Sequence, residues 1–431
     1  MGRSRHLAGD ADQTTLIAAS AALLACGDRH AAAEAEAVLS EVEWLRGATD
    51  AAFEHLDRAR DLVDAGDPSR VTAYVLSTVS RFLMLAGRSA EAIRVGREAV
   101  AMAGQLGLNE VHVATLNNIG SARWFSGDRA GIDDLEQAVV LAAQANAPLE
   151  LCRAQGNLAS VLWILGDLER SASLHADAQS TASRFGQTVM LRWLRGTIAR
   201  EHYSRGRWHE AQESVDEFLA EVEAGSPHYL AGDCYMIRSF LRLGRDDASG
   251  ARSDALQALE LARLAKDPQV LYPTLTEVAH VLAELDEHEL AAELVGELLS
   301  ALRANPVTSV FAFHSCHVLA WTLASLGRGQ EMLEVLHGAD VPWVVAARAF
   351  VAGDGQQAAD VCRAMGALTE EARDRTWLGA SLIRLHRADE ADAELQRALN
   401  FYTSVGATRY IRRAEALLVS LAGDGRAAGA G

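Results

Sequence analysis

Few residues in this chain have types and spacings that could do chemistry. His314-Ser315-Cys316-His317 sets two imidazoles three residues apart on one helix face, with a thiol between them. That could begin a zinc site, but such a site needs three or four ligands, and spacing identifies no others. Histidines of a packed helix are the simpler expectation, so no metal and no cofactor is expected. The acidic run Glu284, Asp286, Glu287 and Glu289 reads as a solvated turn rather than a cation site. A GxxxxGK[ST] phosphate loop is absent, as are GxSxG, HExxH and any GxGxxG after a strand. The chain carries no ATPase engine, no catalytic residue is expected, and the protein is expected not to be an enzyme.

A larger set suits recognition. Arginines, asparagines and large aromatics recur at helical spacing between residues 74 and 238. Tyr74 and Arg81 come first, then Asn117, Asn118 and Trp124, then Arg153, Asn157 and Trp163. Trp193, Arg200, Tyr203 and Arg238 complete the set. A guanidinium holds a carboxylate or phosphate by two hydrogen bonds, and a carboxamide can bond both donors and acceptors of a peptide backbone. Trp and Tyr add apolar area with a polar tip. The expected ligand is an acidic or carboxylate-bearing peptide segment. The plainer alternative puts Trp124 and Trp163 in the core between repeats, the asparagines on neighbouring helices, and the arginines in solvent.

The elements that position these residues follow from composition and pattern. Among 431 residues, 49% are hydrophobic and only 7 are proline, which favours helix throughout. The net charge is -18 and Lys266 is the single lysine, so nearly all cations are arginine. That acidity disfavours nucleic acid as a partner. Five widely spaced cysteines with no CxxC fit a reducing compartment. With no uninterrupted apolar run of membrane-spanning length, no membrane association and a cytoplasmic location are expected.

One phrase repeats: an apolar helix end, Gly, then Asp or Arg, then an Ala-containing helix start. It occurs at Gly47, Gly87, Gly127, Gly166, Gly206 and Gly244, at intervals of 40, 40, 39, 40 and 38 residues. Looser copies stand at Asp286, Gly327, Gly353 and His386. A second punctuation, at Pro68, Gly107, Pro148, Gly186, Pro227, Pro268 and Pro306, falls half a period out of phase. Each unit is thus expected to be two helices, joined by a tight left-handed Gly turn. Small residues before the turn (Ser40, Ser80, Gly120, Ala159, Ala199) face small ones after it (Ala52, Ala92, Ser171, Ala211, with Ile132 as the exception). Such pairs let two helices approach closely, the logic of an α-solenoid.

These residues resemble the tetratricopeptide repeat, most closely in 116–132 and 156–171. The period near 40 and the segment 397–418 are similar to the repeat regions of large bacterial ATP-binding regulators, of STAND, LuxR-like or cyclase-associated type. The resemblance implies an all-α, right-handed solenoid of about ten hairpins over 12–422, regular across 29–305 and less so across 306–422. Residues 1–11 and 423–431 are expected to be disordered tails, and the helix at 12–26 to be a lone second helix. The first helices would line a concave groove, where Asn118 and Asn157 match positions that contact peptide backbone in the family. The implied function is a non-catalytic protein-interaction module, the sensor or scaffold of a bacterial regulatory system, with an attached or associated ATPase or DNA-binding module as a further partner. A small-molecule or signalling-peptide sensor, and nucleic-acid binding through the arginines, stand as alternatives.

Overall fold

A computed structural model of the chain describes residues 13–63, 68–265, 267–304, 306–335 and 340–428, and their regular structure is helical throughout. A lone helix α1 (Gln13–Ala25) precedes the first unit, α2 (Arg29–Leu45) and α3 (Thr49–Leu62). The next four units are α4 (Arg70–Leu85) with α5 (Ser89–Leu106), α6 (Asn109–Phe125) with α7 (Gly131–Gln144), α8 (Pro148–Ile164) with α9 (Leu168–Arg184), and α10 (Thr188–Ser204) with α11 (Trp208–Glu223). Units six and seven are α12 (Ala231–Gly244) with α13 (Ala248–Ala265), and α14 (Pro268–Glu284) with α15 (His288–Ala304). The eighth opens on a 3₁₀ helix (Pro306–Ser315) that runs into α16 (Cys316–Ser325) before α17 (Gln330–Val335). Then come α18 (Pro342–Val351) with α19 (Gly355–Met365), α20 (Leu368–Arg384) with α21 (Ala388–Val405), and a final helix α22 (Thr408–Ala428). The fold is an all-α helical-repeat solenoid. The expected tail at 423–431 differs in part, since α22 continues through Ala428; residues 1–12 and 429–431 lie outside the described residues.

Each hairpin turns on a left-handed residue. Gly47, Gly87, Gly127, Gly166, Gly206, Gly327 and Gly353 all have positive φ, where a side chain would be strained. The sixth, seventh and tenth units use Asp246 (φ 69°), Asp286 (φ 65°) and His386 (φ 56°) instead, residue types that tolerate this region best after glycine. Asp246, not Gly244, is therefore the sixth turn residue. Gly244 is small for another reason: a Cβ there would come within 2.7 Å of the Trp208 ring.

The small-residue pairs seal each hairpin. Ser80 Oγ donates to the carbonyl of Ala92 at 2.8 Å, and Ser171 Oγ donates to that of Ala159 at 2.9 Å. In the third unit Gly120 faces Gly131 rather than Ile132. A Cβ on Gly131 would sit 2.3 Å from the Gly120 carbonyl oxygen, while Ile132 is half-buried one position on.

Ten units carry the solenoid past a full turn, and its windings touch. The Tyr229 N–H donates to the Leu45 carbonyl at 2.8 Å, and the Gln269 side chain donates to that of Leu85 at 2.8 Å. The Phe125 and Phe311 rings meet at 5.0 Å. Trp343 Nε1 donates to the Trp163 carbonyl at 2.8 Å, and Thr369 Oγ1 to that of Tyr203 at 2.6 Å. Each contact joins the end of a leading helix to the start of the leading helix five units on. One apolar core accordingly runs from Leu168 to Tyr410 through both windings, with a separate one from Ala33 to Ala122 in the first three units. Among the described residues no helix is long and apolar enough to cross a membrane.

Candidate functional site

The leading helices of the first winding line a cavity of about 690 Å³ that is partly open to solvent. Counting back 6, 9 and 13 residues from each turn glycine gives its wall directly. The register yields Arg81, Thr78 and Tyr74 on α4, and Ser121, Asn118 and Ala114 on α6. It yields Ser160, Asn157 and Arg153 on α8, and Arg200, Thr197 and Trp193 on α10. The position three before the turn divides: Trp163 lines the cavity, whereas Trp124 and Tyr203 do not. The second winding adds Tyr229, Asp267, Gln269 and His314 to the lining, none of which the sequence register supplies for this site.

Charge in this wall is unevenly matched. Arg81 lies 3.8 Å from Glu41, a loose pairing, and its remaining exposed surface opens on the cavity. Burial and the neighbouring Arg153 guanidinium together hold Arg81 below the ordinary arginine range. Arg153 donates to Glu150 at 2.8 Å and to Asn118 Oδ1 at 3.2 Å. Two guanidinium groups thus crowd one side of the cavity. Asn118 also donates to the Ser77 carbonyl at 3.1 Å, so both ends of its amide are engaged by the protein itself. Asn157 Nδ2 donates to Asn117 Oδ1 at 3.2 Å, and Asn157 lines the cavity while Asn117 is 1% exposed beneath it.

The aromatic part of the wall is held from behind. Trp193 packs over Gly156, where a Cβ would come within 2.6 Å of its ring, and its Nε1 donates to the Tyr229 hydroxyl at 2.6 Å. Trp163 meets Trp343 of the second winding at 5.7 Å between ring centroids. His314, first noted as half of a metal pair, projects into the cavity. Burial and then Arg200 hold its imidazole down at about 3, so it is neutral.

Four of the expected recognition residues lie elsewhere. Arg238 was placed by counting from Gly244; with Asp246 as the turn it falls two positions off the cavity face. It packs against its own hairpin partner and bonds Asp254 through two nitrogens at 2.8 and 2.9 Å. Tyr203 is sandwiched between Trp208 and Phe240, and Trp124 is 5% exposed in a core with Leu158 and Leu162. Asn117 is the fourth, buried as described. Arg200 does line the cavity, but Asp233 and Glu277 both accept from its guanidinium. Burial opposes that charge, yet the two carboxylates outweigh it and raise Arg200 above its usual range.

The other chemical candidates resolve into internal pairings. His317 does not converge with His314. Its Nε2 donates to Asp374 Oδ1 at 2.9 Å, and its Nδ1 lies 3.2 Å from Cys362 Sγ. Trp321 Nε1 also donates to Asp374, at 2.9 Å. Cysteine, histidine and aspartate stand in the order of a hydrolytic triad, but Cys362 and Asp374 are 0% exposed and His317 1%, and the group borders none of the cavities described. Burial, then Asp374, pushes the thiol far above its ordinary range, the opposite of an activated nucleophile. The three donors also fall short of a four-ligand zinc site. In the acidic run, Glu284 takes Arg413 at 2.9 and 3.0 Å and Glu287 takes Arg252 at 2.6 and 3.0 Å.

No protein-family model and no curated protein sequence matches the chain. Among solved structures it is similar to a Rap protein complexed with Competence and Sporulation Factor, at 12% identity and a TM-score of 0.58 over 78% of this chain and 98% of that one. Weaker likenesses are to a STAND protein with a tetratricopeptide repeat sensor from Pyrococcus horikoshii (14% identity, TM-score 0.43, 68% of this chain and 46% of that one) and to the apo quorum sensor NprR from B. thuringiensis (14%, 0.41, 82% and 93%). At these identities the likeness is one of fold. Together with the repeat register, it shows a helical-repeat solenoid whose repeats resemble the tetratricopeptide repeat.

Proposed function

We propose that this chain is a non-catalytic receptor module that binds a short acidic or carboxylate-bearing peptide in its central cavity. The observation that carries this reading is the crowding of Arg81 and Arg153 on one wall, with Arg81 only loosely matched by Glu41. A carboxylate reaching them gains charge-assisted hydrogen bonds and relieves the repulsion between the two cations. Tyr74, Trp163 and Trp193 offer the apolar area beside it. The Rap protein that shares this fold was solved with Competence and Sporulation Factor, and the proposal extends ligand capture to the present chain.

A cavity of about 690 Å³ falls within the roughly 300–1,000 Å³ of small-molecule sites, so a small acidic molecule is the second reading. The nucleic-acid alternative loses support, because Arg200 and Arg238 are neutralised by carboxylates within the protein. In cellular terms the module would be the sensor or scaffold of a bacterial regulatory system in the cytoplasm, passing the ligand-bound state to an attached or associated ATPase or DNA-binding module.

The test is affinity selection of random short peptides by the wild type and by an Arg81→Ala/Arg153→Ala variant, read by mass spectrometry. The wild type should enrich peptides rich in acidic residues, and the variant should lose that enrichment. Failure of the wild type to enrich any peptide, or the same set captured by both proteins, would overturn the reading.

A further inference from the structure

A small internal cavity of about 20 Å³ lies on the seam between the two windings. Trp163 and Tyr203 line it from the first winding, and Thr369, Glu370 and Arg373 of α20 line it from the second. Two of these residues also carry winding contacts, since the Trp163 carbonyl accepts from Trp343 and the Tyr203 carbonyl from Thr369.

Three residues of this lining each hold a buried polar atom with no hydrogen-bond partner among the described residues. They are Trp163 Nε1, Glu370 Oε2 and Arg373 Nε. The remaining polar atoms of the two charged groups are engaged. Ser204 Oγ donates to Glu370 Oε1 at 3.1 Å. Arg373 donates from one terminal nitrogen to His280 Nε2 and from the other to the Tyr410 hydroxyl, both at 2.7 Å. Its guanidinium also lies 5.0 Å from the centroid of the Trp321 ring. Trp193, Trp208, Trp321 and Trp343 all donate from their indole nitrogens, whereas Trp163 does not. Trp124 is a further idle indole, but it lines no cavity. The far larger central cavity gathers only two residues with such atoms, Trp163 and His175. Buried donors and acceptors left unmade are costly, so three on one small cavity point to a shared partner.

Their chemistry says which partner. Two of the atoms are N–H donors and the third is a carboxylate oxygen. One water accepts from both donors through its lone pairs and donates a hydrogen to the carboxylate. Buried waters typically make about three such bonds, and a cavity of roughly 10–15 Å³ is enough to admit one. A halide ion would satisfy the donors and set a second negative charge against Glu370. A sodium ion would satisfy the carboxylate and face the hydrogens of the indole and the guanidinium.

We propose that this cavity binds a single structural water, which bridges Trp163 of the first winding to Glu370 and Arg373 of the second. Trp163, Arg200 and His314 line the central cavity as well as this one. The water therefore fixes an indole that is also part of the wall of the larger site. The inference stands independently of what the central cavity binds.

A crystal structure of the full chain, at a resolution that shows ordered water, tests this on the wild type; a second crystal is soaked in sodium bromide. The expected result is one water oxygen within about 3.2 Å of Trp163 Nε1, Glu370 Oε2 and Arg373 Nε, with no anomalous bromide peak there. A cavity without density, a bromide peak in it, or direct bonds among the three side chains would overturn the proposal. A double-mutant cycle of Trp163→Phe and Glu370→Met, read by chemical denaturation, tests the bridge in solution. The lost ring volume and the lost Ser204 bond are common to both legs of the cycle and cancel. The effects on the unfolding equilibrium should depart from simple multiplication by about twofold or more. Effects that multiply would count against the bridge.

Discussion

The Tyr229 backbone N–H donates to the carbonyl oxygen of Leu45 at 2.8 Å, tying the start of the sixth unit to the leading helix of the first. That single bond marks where the solenoid completes a turn and rests on itself. From there the windings touch unit by unit, through Leu85 and Gln269, Phe125 and Phe311, Trp163 and Trp343, and Tyr203 and Thr369. The second winding thereby supplies part of the wall around the groove.

If closure holds the particle together, cutting one contact should loosen it. Trp343 is 1% exposed, bonds the Trp163 carbonyl and packs on the Trp163 ring. Trp343→Ala is expected to cost about 3–5 kcal/mol in chemical denaturation. Small-angle X-ray scattering should show a larger radius of gyration. An unchanged radius and unchanged stability would mean that the windings do not support one another.

Two turn glycines separate backbone strain from crowding. Gly47 and Gly206 both have positive φ, but a Cβ at Gly47 meets nothing within 4 Å, whereas one at Gly206 would meet Phe401 of the other winding at 2.7 Å. Gly47→Ala should cost about 1–2 kcal/mol for the left-handed backbone alone. Gly206→Ala should cost about 1 kcal/mol or more beyond that, from overpacking. Equal melting temperatures for the two variants would contradict the winding contact at Phe401.

Arg81 and Arg200 occupy the same register position and should behave oppositely. Removing Arg200 leaves Glu277, whose side chain is 2% exposed, without its cation, at a cost of about 3–5 kcal/mol. Arg81 is held below its ordinary range by burial and by Arg153, so Arg81→Ala should leave the protein at least as stable as wild type. Thermal unfolding of the two variants side by side decides this.

Asp267 gives a pH signature. Its carboxyl titrates at about 7 in the folded protein, against 3.8 when unperturbed. The unfolded chain therefore releases this proton first, and stability is lost as pH rises from about 4 through 7. Asp267→Asn removes that penalty. The variant should match wild type near pH 4 and exceed it at pH 8, by at most about 4 kcal/mol on a shift of some three pH units. A stability difference independent of pH would show the carboxyl to be ordinary.

What was legible in the sequence was whatever the local backbone dictates. Gly47 to Gly206 announce themselves because a left-handed turn selects glycine, and they fix the cavity-facing positions of four units. Asp246 fills the same backbone role with a less diagnostic residue, and the nearby Gly244, kept small by Trp208, misled the register by two and carried Arg238 with it. The position three before each turn carries Trp124, Trp163 and Tyr203 alike, and only packing between units decides which of them reaches the cavity. Asp267, Tyr229 and His314 were beyond reach for a different reason. They enter the site from the second winding, and the pitch that brings them there is the sum of small rotations that no short motif records.

The most direct measurement is the dissociation constant of a short acid-bearing peptide selected by the wild type, taken by isothermal titration against wild type and Arg81→Ala/Arg153→Ala. Two charge-assisted bonds at about 1.5–3 kcal/mol each correspond to a loss of roughly a hundredfold or more. Saturable one-to-one binding by the wild type, weakened by that factor in a variant that still melts cooperatively, is the expected result. Affinities that agree within about twofold would contradict the central cavity as the site of recognition.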